Sequence, residues 1–182
     1  MLYIIRHGKT EWNAIHHLQG WTDIPLNEEG RAQAAKAGTE CADVHFDVCY
    51  CSPLQRARET AALLLQGRDV PILQDERLKE MGFGKYEGAL DWIADPSCPV
   101  KKLAEDPAHY DPDGGGETLE ELFARTGSFL KEVIEPGLAQ GQDILIVGHG
   151  AMNSAIICQV NGSPIEDLWK VGIQNCRLIR LK

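Results

Sequence analysis

An α/β fold with a largely parallel sheet covered on both faces is what this 182-residue sequence predicts, and three observations predict it. Short apolar runs alternate with longer segments of helical character along the chain. Two of those runs, Leu2-Tyr3-Ile4-Ile5 and Asp143-Ile144-Leu145-Ile146-Val147, are nearly apolar throughout, the pattern of strands buried on both faces. Each of the two ends in a His-Gly pair, in Arg6-His7-Gly8 and Gly148-His149-Gly150. In an open α/β sheet, ligands sit in the crevice beyond the carboxyl ends of the strands, so two histidines delivered there are hard to explain as packing.

The length predicts one domain spanning residues 1–182, long enough to bury a sizeable core. Its formal net charge of −9 leaves no global field to attract nucleic acid or an anionic membrane, so neither is expected as a partner. No apolar stretch approaches the roughly 20 residues that span a bilayer. The first apolar run stops at Arg6, which argues against a signal peptide. Six cysteines show no CxxC pair and no zinc-ribbon spacing. Most lie in apolar segments, as expected of reduced core residues in a cytoplasmic protein.

Taken in order, the first strand gives way to a polar loop over Lys9–Gly20 and an extended connection over Trp21–Leu26. Asn27 is a suitable cap for a helix from Glu28 to about Cys41, with two acids in its first turn. Phe46–Cys51 is strand-like. Ser52 is then expected to cap the next helix, with Pro53 at its first position and Gln55 completing a capping box. Arg56 and Arg58 fall near that first turn, where the macrodipole disfavours cations. Either they are simply solvated, or Arg56 and the helix N-terminus act together on an anion.

Val70–Leu73 is a short strand that Pro71 places at an edge. Leu78–Gly84 is a glycine-punctuated loop continuing to Glu87-Gly88, and a weak helix is expected around Ala89–Ala94. Residues 95–116 hold four prolines and three successive glycines. With no linker-like tract on either side, residues 89–116 form an excursion from the same domain, a lid or specificity segment. Thr118 and Glu121 form a capping box that opens the most clearly amphipathic helix, expected to stop at Pro136-Gly137. The 143–147 strand, a helix over Ala151–Val160 and a strand over Cys176–Leu181 complete the chain.

Of six histidines, His16 and His17 belong to a surface or pocket rim, and His45 and His109 to solvated turns. His7 and His149 are each held by a strand end. A metal site is disfavoured because there is no His-x-His, no HExxH and no acidic cluster beside either residue. No cofactor is expected. Arg6, Arg56, His7, His149 and a helix N-terminus make a dense positive set suited to a phosphoryl dianion. A neutral imidazole can attack phosphorus to form a phosphohistidine, with the arginines supplying charge stabilisation. The leaving alkoxide then needs a proton. Glu80 is a candidate donor if burial and phosphate charge favour its protonated form, although by itself it is more simply a solvated loop carboxylate.

Arg6-His7-Gly8-Lys9-Thr10-Glu11-Trp12-Asn13 resembles the signature of the histidine phosphatase superfamily, in the branch that includes cofactor-dependent phosphoglycerate mutases. The resemblance continues through Leu18-Gln19-Gly20, Asp23–Gly30, Ser52–Ala57, Glu80–Gly84 with Glu87-Gly88, Gly115–Glu117 and Val147–Gly150, in the family's order. It implies a three-layer α/β/α sandwich around a mostly parallel sheet and a metal-independent reaction. It further implies His7 as the phosphorylated nucleophile, with Arg6, Arg56 and His149 on the phosphoryl oxygens and Asn13 assisting. Gln19, Gly20 and Gly150 join the implied phosphate-binding set, and Glu80 becomes the proton donor that later activates water.

His17 stands where many relatives carry an arginine, and the Gly88–Gly116 segment is short, with only Lys101 and Lys102 as cations. Those departures favour a phosphatase acting on a small phosphorylated metabolite over a mutase that must hold a second phosphorylated end. Broad-specificity, alpha-ribazole phosphate and sugar bisphosphate phosphatases are not told apart, nor is a monomer from a homodimer. An inactive phosphate-binding domain is the rival of another class. It predicts loss of the acid or the nucleophile, yet His7, Arg56, Glu80 and His149 are all present.

Overall fold

In the computed structural model, which describes residues 1–90, 92–113 and 115–182, five strands form one sheet in the order β3-β2-β4-β1-β5. They are β1 (Leu2–Arg6), β2 (Val48–Cys51), β3 (Ile72–Gln74), β4 (Ile144–Gly148) and β5 (Ile179–Arg180). The first four pair in parallel and β5 adds antiparallel to β1. The pleat then sorts the side chains. Leu2, Ile4, Val48, Ile144 and Ile146 face one core, whereas Ile5, Cys49, Cys51, Leu145 and Val147 face the other.

Helices close both faces, giving three layers. The second core is covered by α2 (Glu28–Glu40) and α3 (Gln55–Leu64), through Ala34, Ala37, Ala57, Ala61 and Leu64. The first is covered by α5 (Leu119–Phe129) and α7 (Gly150–Asn161), through Leu122, Phe129, Met152 and Ile156. All six cysteines are free and buried, and burial pushes the thiol of Cys51 up to about 11 and that of Cys176 to about 12.

Several local expectations are corrected by tertiary contacts. The polar loop after β1 contains a one-turn helix, α1 (Glu11–Ala14), closed by a capping box between Thr10 and Asn13. Ser52 does not cap α3. The helix starts at Gln55 after Leu54, and its first N–H donates to Asp23 Oδ1 at 2.7 Å, so the cap comes from the preceding connection. Pro136 and Gly137 do not stop the helix begun at Thr118. A π-helical turn over Leu130–Ile134 leads into α6 (Glu135–Ala139), where Pro136 sits in the first turn and needs no N–H partner. Termination falls instead at Gly141 (φ +81°), where Gly141 N–H reaches Leu138 O and Gln142 N–H reaches Gly137 O.

The 89–116 excursion includes Asp91 and Gly114, which lie outside the described residues, so the weak helix expected over 89–94 falls partly there. Among the described residues, Trp92–Ala94 form a turn, and the helix of this segment is α4 (Val100–Glu105), which the sequence did not signal. The strand expected over Cys176–Leu181 is only Ile179–Arg180. Cys176, in the left-handed region (φ +54°), breaks the extended run.

Candidate active site

The parallel register of β1 and β4 sets Arg6 beside Gly148, and the His7 N–H donates to Gly148 O at 2.9 Å. Both histidines therefore leave neighbouring strands at one level. The turn after β1 is held from below: Gly8 N–H donates to Thr60 Oγ1 (3.0 Å), whose hydroxyl donates to Arg56 O (2.7 Å). Gly8 and Gly30 abut so closely that a Cβ on Gly8 would overlap the Gly30 carbonyl, and one on Gly30 the Lys9 carbonyl. Packing of α2 against the turn needs both glycines.

Hydrogen bonds assign the two imidazoles opposite tautomers. His7 Nδ1 lies 2.7 Å from Gly8 O; a carbonyl only accepts, so Nδ1 carries the proton and Nε2 the lone pair. His149 Nδ1 accepts from Arg56 Nε at 3.2 Å, so its proton is on Nε2. The rings lie 5.1 Å apart between centroids. Burial, then the charges of Arg56 and Arg6, push His7 well below the ordinary 6.5, and burial, Arg56 and His7 do the same for His149. Both are neutral at physiological pH.

Arg56 is 0% exposed, whereas Arg58 two residues on is exposed, which resolves the sequence ambiguity at this helix start. Its guanidinium donates to Gly20 O (2.7 Å) and Thr22 O (3.0 Å), and burial brings its pKa down to about 10, still charged. Gly20 thus enters the site by holding Arg56. Arg6 donates from Nη1 to Ile173 O (3.2 Å), and burial lowers its pKa against the opposing pull of Glu80. Arg6 Nε, Gln19 Nε2 and His149 Nε2 are among the buried side-chain atoms that have no protein partner. Leaving a buried donor unmatched costs about 1–3 kcal/mol, so this set suits a ligand rich in acceptors.

Glu80, 7% exposed, is no solvated loop carboxylate. Oε2 accepts from Gly150 N (2.8 Å) and Ala151 N (3.3 Å), and Oε1 from Met152 N (3.0 Å) and Met81 N (2.9 Å). It occupies the N-terminus of α7, where free N–H groups and the macrodipole favour an anion.

Sequence reasoning missed the residues that fix this one. Arg125 Nη2 (3.1 Å) and Trp21 Nε1 (2.7 Å) both donate to the Glu80 carbonyl. Arg125 is itself held by Glu117, which also accepts from Gly82 N at 3.2 Å. Glu117 lay in a motif, but nothing local marked Arg125 or Trp21. Asn175, also missed, donates to His7 O at 2.6 Å.

A cavity of about 460 Å³ opens here, lined by Arg6, Asn13, Gln19, Glu80 and Gly150 among others. His7, Arg56 and His149 lie buried beside its Arg6–Gly150 pole, and His16 and His17 line its rim as expected. Asn13 Oδ1 and Gln19 Oε1 are taken by Thr10, which leaves their amide N–H groups for the cavity. Among the described residues, no three of His, Cys, Asp and Glu come together as a metal site.

Comparison with known proteins gives the family and the fold. A family model described as histidine phosphatase superfamily (branch 1) matches residues 2–182. A 2,3-bisphosphoglycerate-dependent phosphoglycerate mutase of Gloeobacter violaceus is 32% identical over 97% of this chain and 82% of its own. A phosphoserine phosphatase of Hydrogenobacter thermophilus is 30% identical over 96% and 82%. The crystal structure of the alpha-ribazole phosphatase from Shigella flexneri superposes with a TM-score of 0.84 at 32% identity, over 97% of this chain and 87% of that one.

Proposed function

The chain belongs to the histidine phosphatase superfamily, and on that premise we propose that it is a metal-independent phosphomonoester hydrolase working through a phosphohistidine on His7. The observation that carries this reading is the pair of complementary neutral imidazoles: a lone pair on His7 Nε2 and an unmatched N–H on His149 Nε2. His7 Nε2 attacks phosphorus while the bond to the ester oxygen breaks. Arg6, Arg56 and His149 Nε2–H, with the Asn13 and Gln19 amides nearby, hold the phosphoryl oxygens as charge redistributes, whereas the Gly150 N–H, expected from the sequence in this set, is taken by Glu80 Oε2 at 2.8 Å. Glu80 gives its proton to the leaving alkoxide. A phosphoryl dianion brought beside this carboxyl acts by like-charge repulsion against its ionised form, in opposition to the four N–H groups that hold it. Water then attacks phosphorus, the P–N bond breaks, and Glu80 takes up the water proton as inorganic phosphate leaves.

Hydrolysis is preferred to mutase chemistry because Lys101 and Lys102 are not among the residues lining the cavity, and Lys101 lies 4.0 Å from Glu105. A second phosphorylated end would find few cations there. The deciding experiment is hydrolysis of 4-nitrophenyl phosphate by EDTA-treated protein, wild type beside His7→Ala, with and without 2,3-bisphosphoglycerate and 3-phosphoglycerate. Turnover in EDTA that drops by about 10³-fold or more in the variant is expected. Interconversion of phosphoglycerates without hydrolysis would assign the mutase. Phosphate binding with neither activity would leave only a binding domain.

A further inference from the structure

We propose that the alcohol half of the substrate is uncharged and carries an apolar, ring-sized body. This rests on the hydrolase reading and names the substrate class of the same cavity.

Of the residues lining the cavity, Arg6 and Gly150 are next in the chain to the buried His7 and His149, His149 is bonded to Arg56, and Glu80 accepts from Gly150 N–H, so the remainder of the cavity is what receives the leaving group. That remainder is walled by Phe83, Trp92, Ile93, Val100, Leu103 and Trp169. Two observations show that the wall is built. Val100 and Leu103 of α4 are each 2% exposed and belong to the main core, which anchors the helix. Trp169 Nε1 donates to Leu103 O at 2.7 Å, which fixes the indole against α4 while 38% of the residue stays accessible. Ile93 is 59% exposed although it stands at this wall. Apolar surface left uncovered beside a polar site is what an apolar ligand group would bury.

Charge argues in the same direction. Beyond Arg6, the cavity is lined by one lysine, Lys9, which is engaged with Glu29 at 2.6 Å. Among the described residues of 89–116, none that lines the cavity is charged, so a carboxylate or second phosphate on the leaving group would meet no counter-charge from this segment.

The test compares kcat/KM for three primary alkyl esters with similar chemistry at phosphorus: 2-phenylethyl phosphate, glycerol phosphate and phosphoserine. The apolar ester should lead phosphoserine by at least about tenfold, roughly 1.4 kcal/mol of transition-state binding. Ile93→Lys, at an accessible position that tolerates substitution, should narrow or invert that ratio. Equal values, or a preference for phosphoserine, would overturn the assignment while leaving the hydrolase intact. Hydrolysis of none of the three, nor of 4-nitrophenyl phosphate, would remove the hydrolase reading and this inference with it.

Discussion

Arg125 contributes no atom to the cavity around the phosphoryl pole, yet it holds the residue proposed as the acid. With Trp21 it clamps the Glu80 carbonyl, through Glu117 it reaches the Gly82 peptide and through Nη1 the Arg77 carbonyl, so the backbone on both sides of Glu80 is pinned. The fork geometry of a guanidinium is needed to meet Glu117 and two carbonyls at once. Arg125→Met should therefore act as a positioning lesion. A loss of about 10–100-fold in kcat is expected for alkyl esters, and a much smaller one for 4-nitrophenyl phosphate, whose leaving group needs little protonation. Glu80→Gln should show the same leaving-group pattern more strongly. Equal losses on both ester types in Arg125→Met would mean that the residue supports only the fold.

Among the elements, α2 and α3 matter most for the site, because they support it from behind. Asn27 caps α2 through Gly30 N–H at 2.8 Å, and Gly30 then meets the turn that carries His7. Gly30→Ala forces a Cβ into the Lys9 carbonyl. Overpacking of this kind costs about 1–3 kcal/mol, visible as a lower urea midpoint. It should also displace the His7 turn and lower kcat more than the stability change accounts for. A variant of wild-type stability and rate would show that the turn yields freely. The α3 element carries Arg56 on a helix start capped from Asp23, so its placement depends on the 21–27 connection as much as on its own sequence.

Two neutral imidazoles buried beside two arginines make the stability of the whole molecule depend on pH. In the unfolded chain each His titrates near 6.5, whereas in the fold both lie well below it. Below 6.5 the unfolded state therefore binds more protons. The contribution is complete above 6.5 and is lost as pH falls toward the folded values. Between pH 7.5 and 5.5 each residue should remove up to about 1.4 kcal/mol. Urea unfolding at the two pH values measures it, and His149→Gln should flatten the dependence by about that amount. An unchanged slope would show that His149 is not held neutral by the fold.

Much of this was legible in the sequence for local reasons. Apolar runs ending in His-Gly identify β1 and β4, because a strand buried on both faces needs uninterrupted hydrophobicity. The Asn27 cap and the Thr118 box located α2 and α5, because capping is settled within four residues. His7, Arg56, Glu80 and His149 were visible as types of residue at strand ends and loop turns. What the sequence could not contain was set by partners distant in the chain. Asp23 displaced Ser52 as the start of α3, and a π-helical turn carried the helix past Pro136. The α7 N-terminus took the Glu80 carboxylate, and Arg125 took its carbonyl. The two tautomers followed from a carbonyl on one ring and a guanidinium on the other. Hydrophobic period and capping are short-range and are written in neighbouring residues. The acceptor that fixes a proton, and the buried wall that receives a leaving group, exist only once the chain has brought separate segments together.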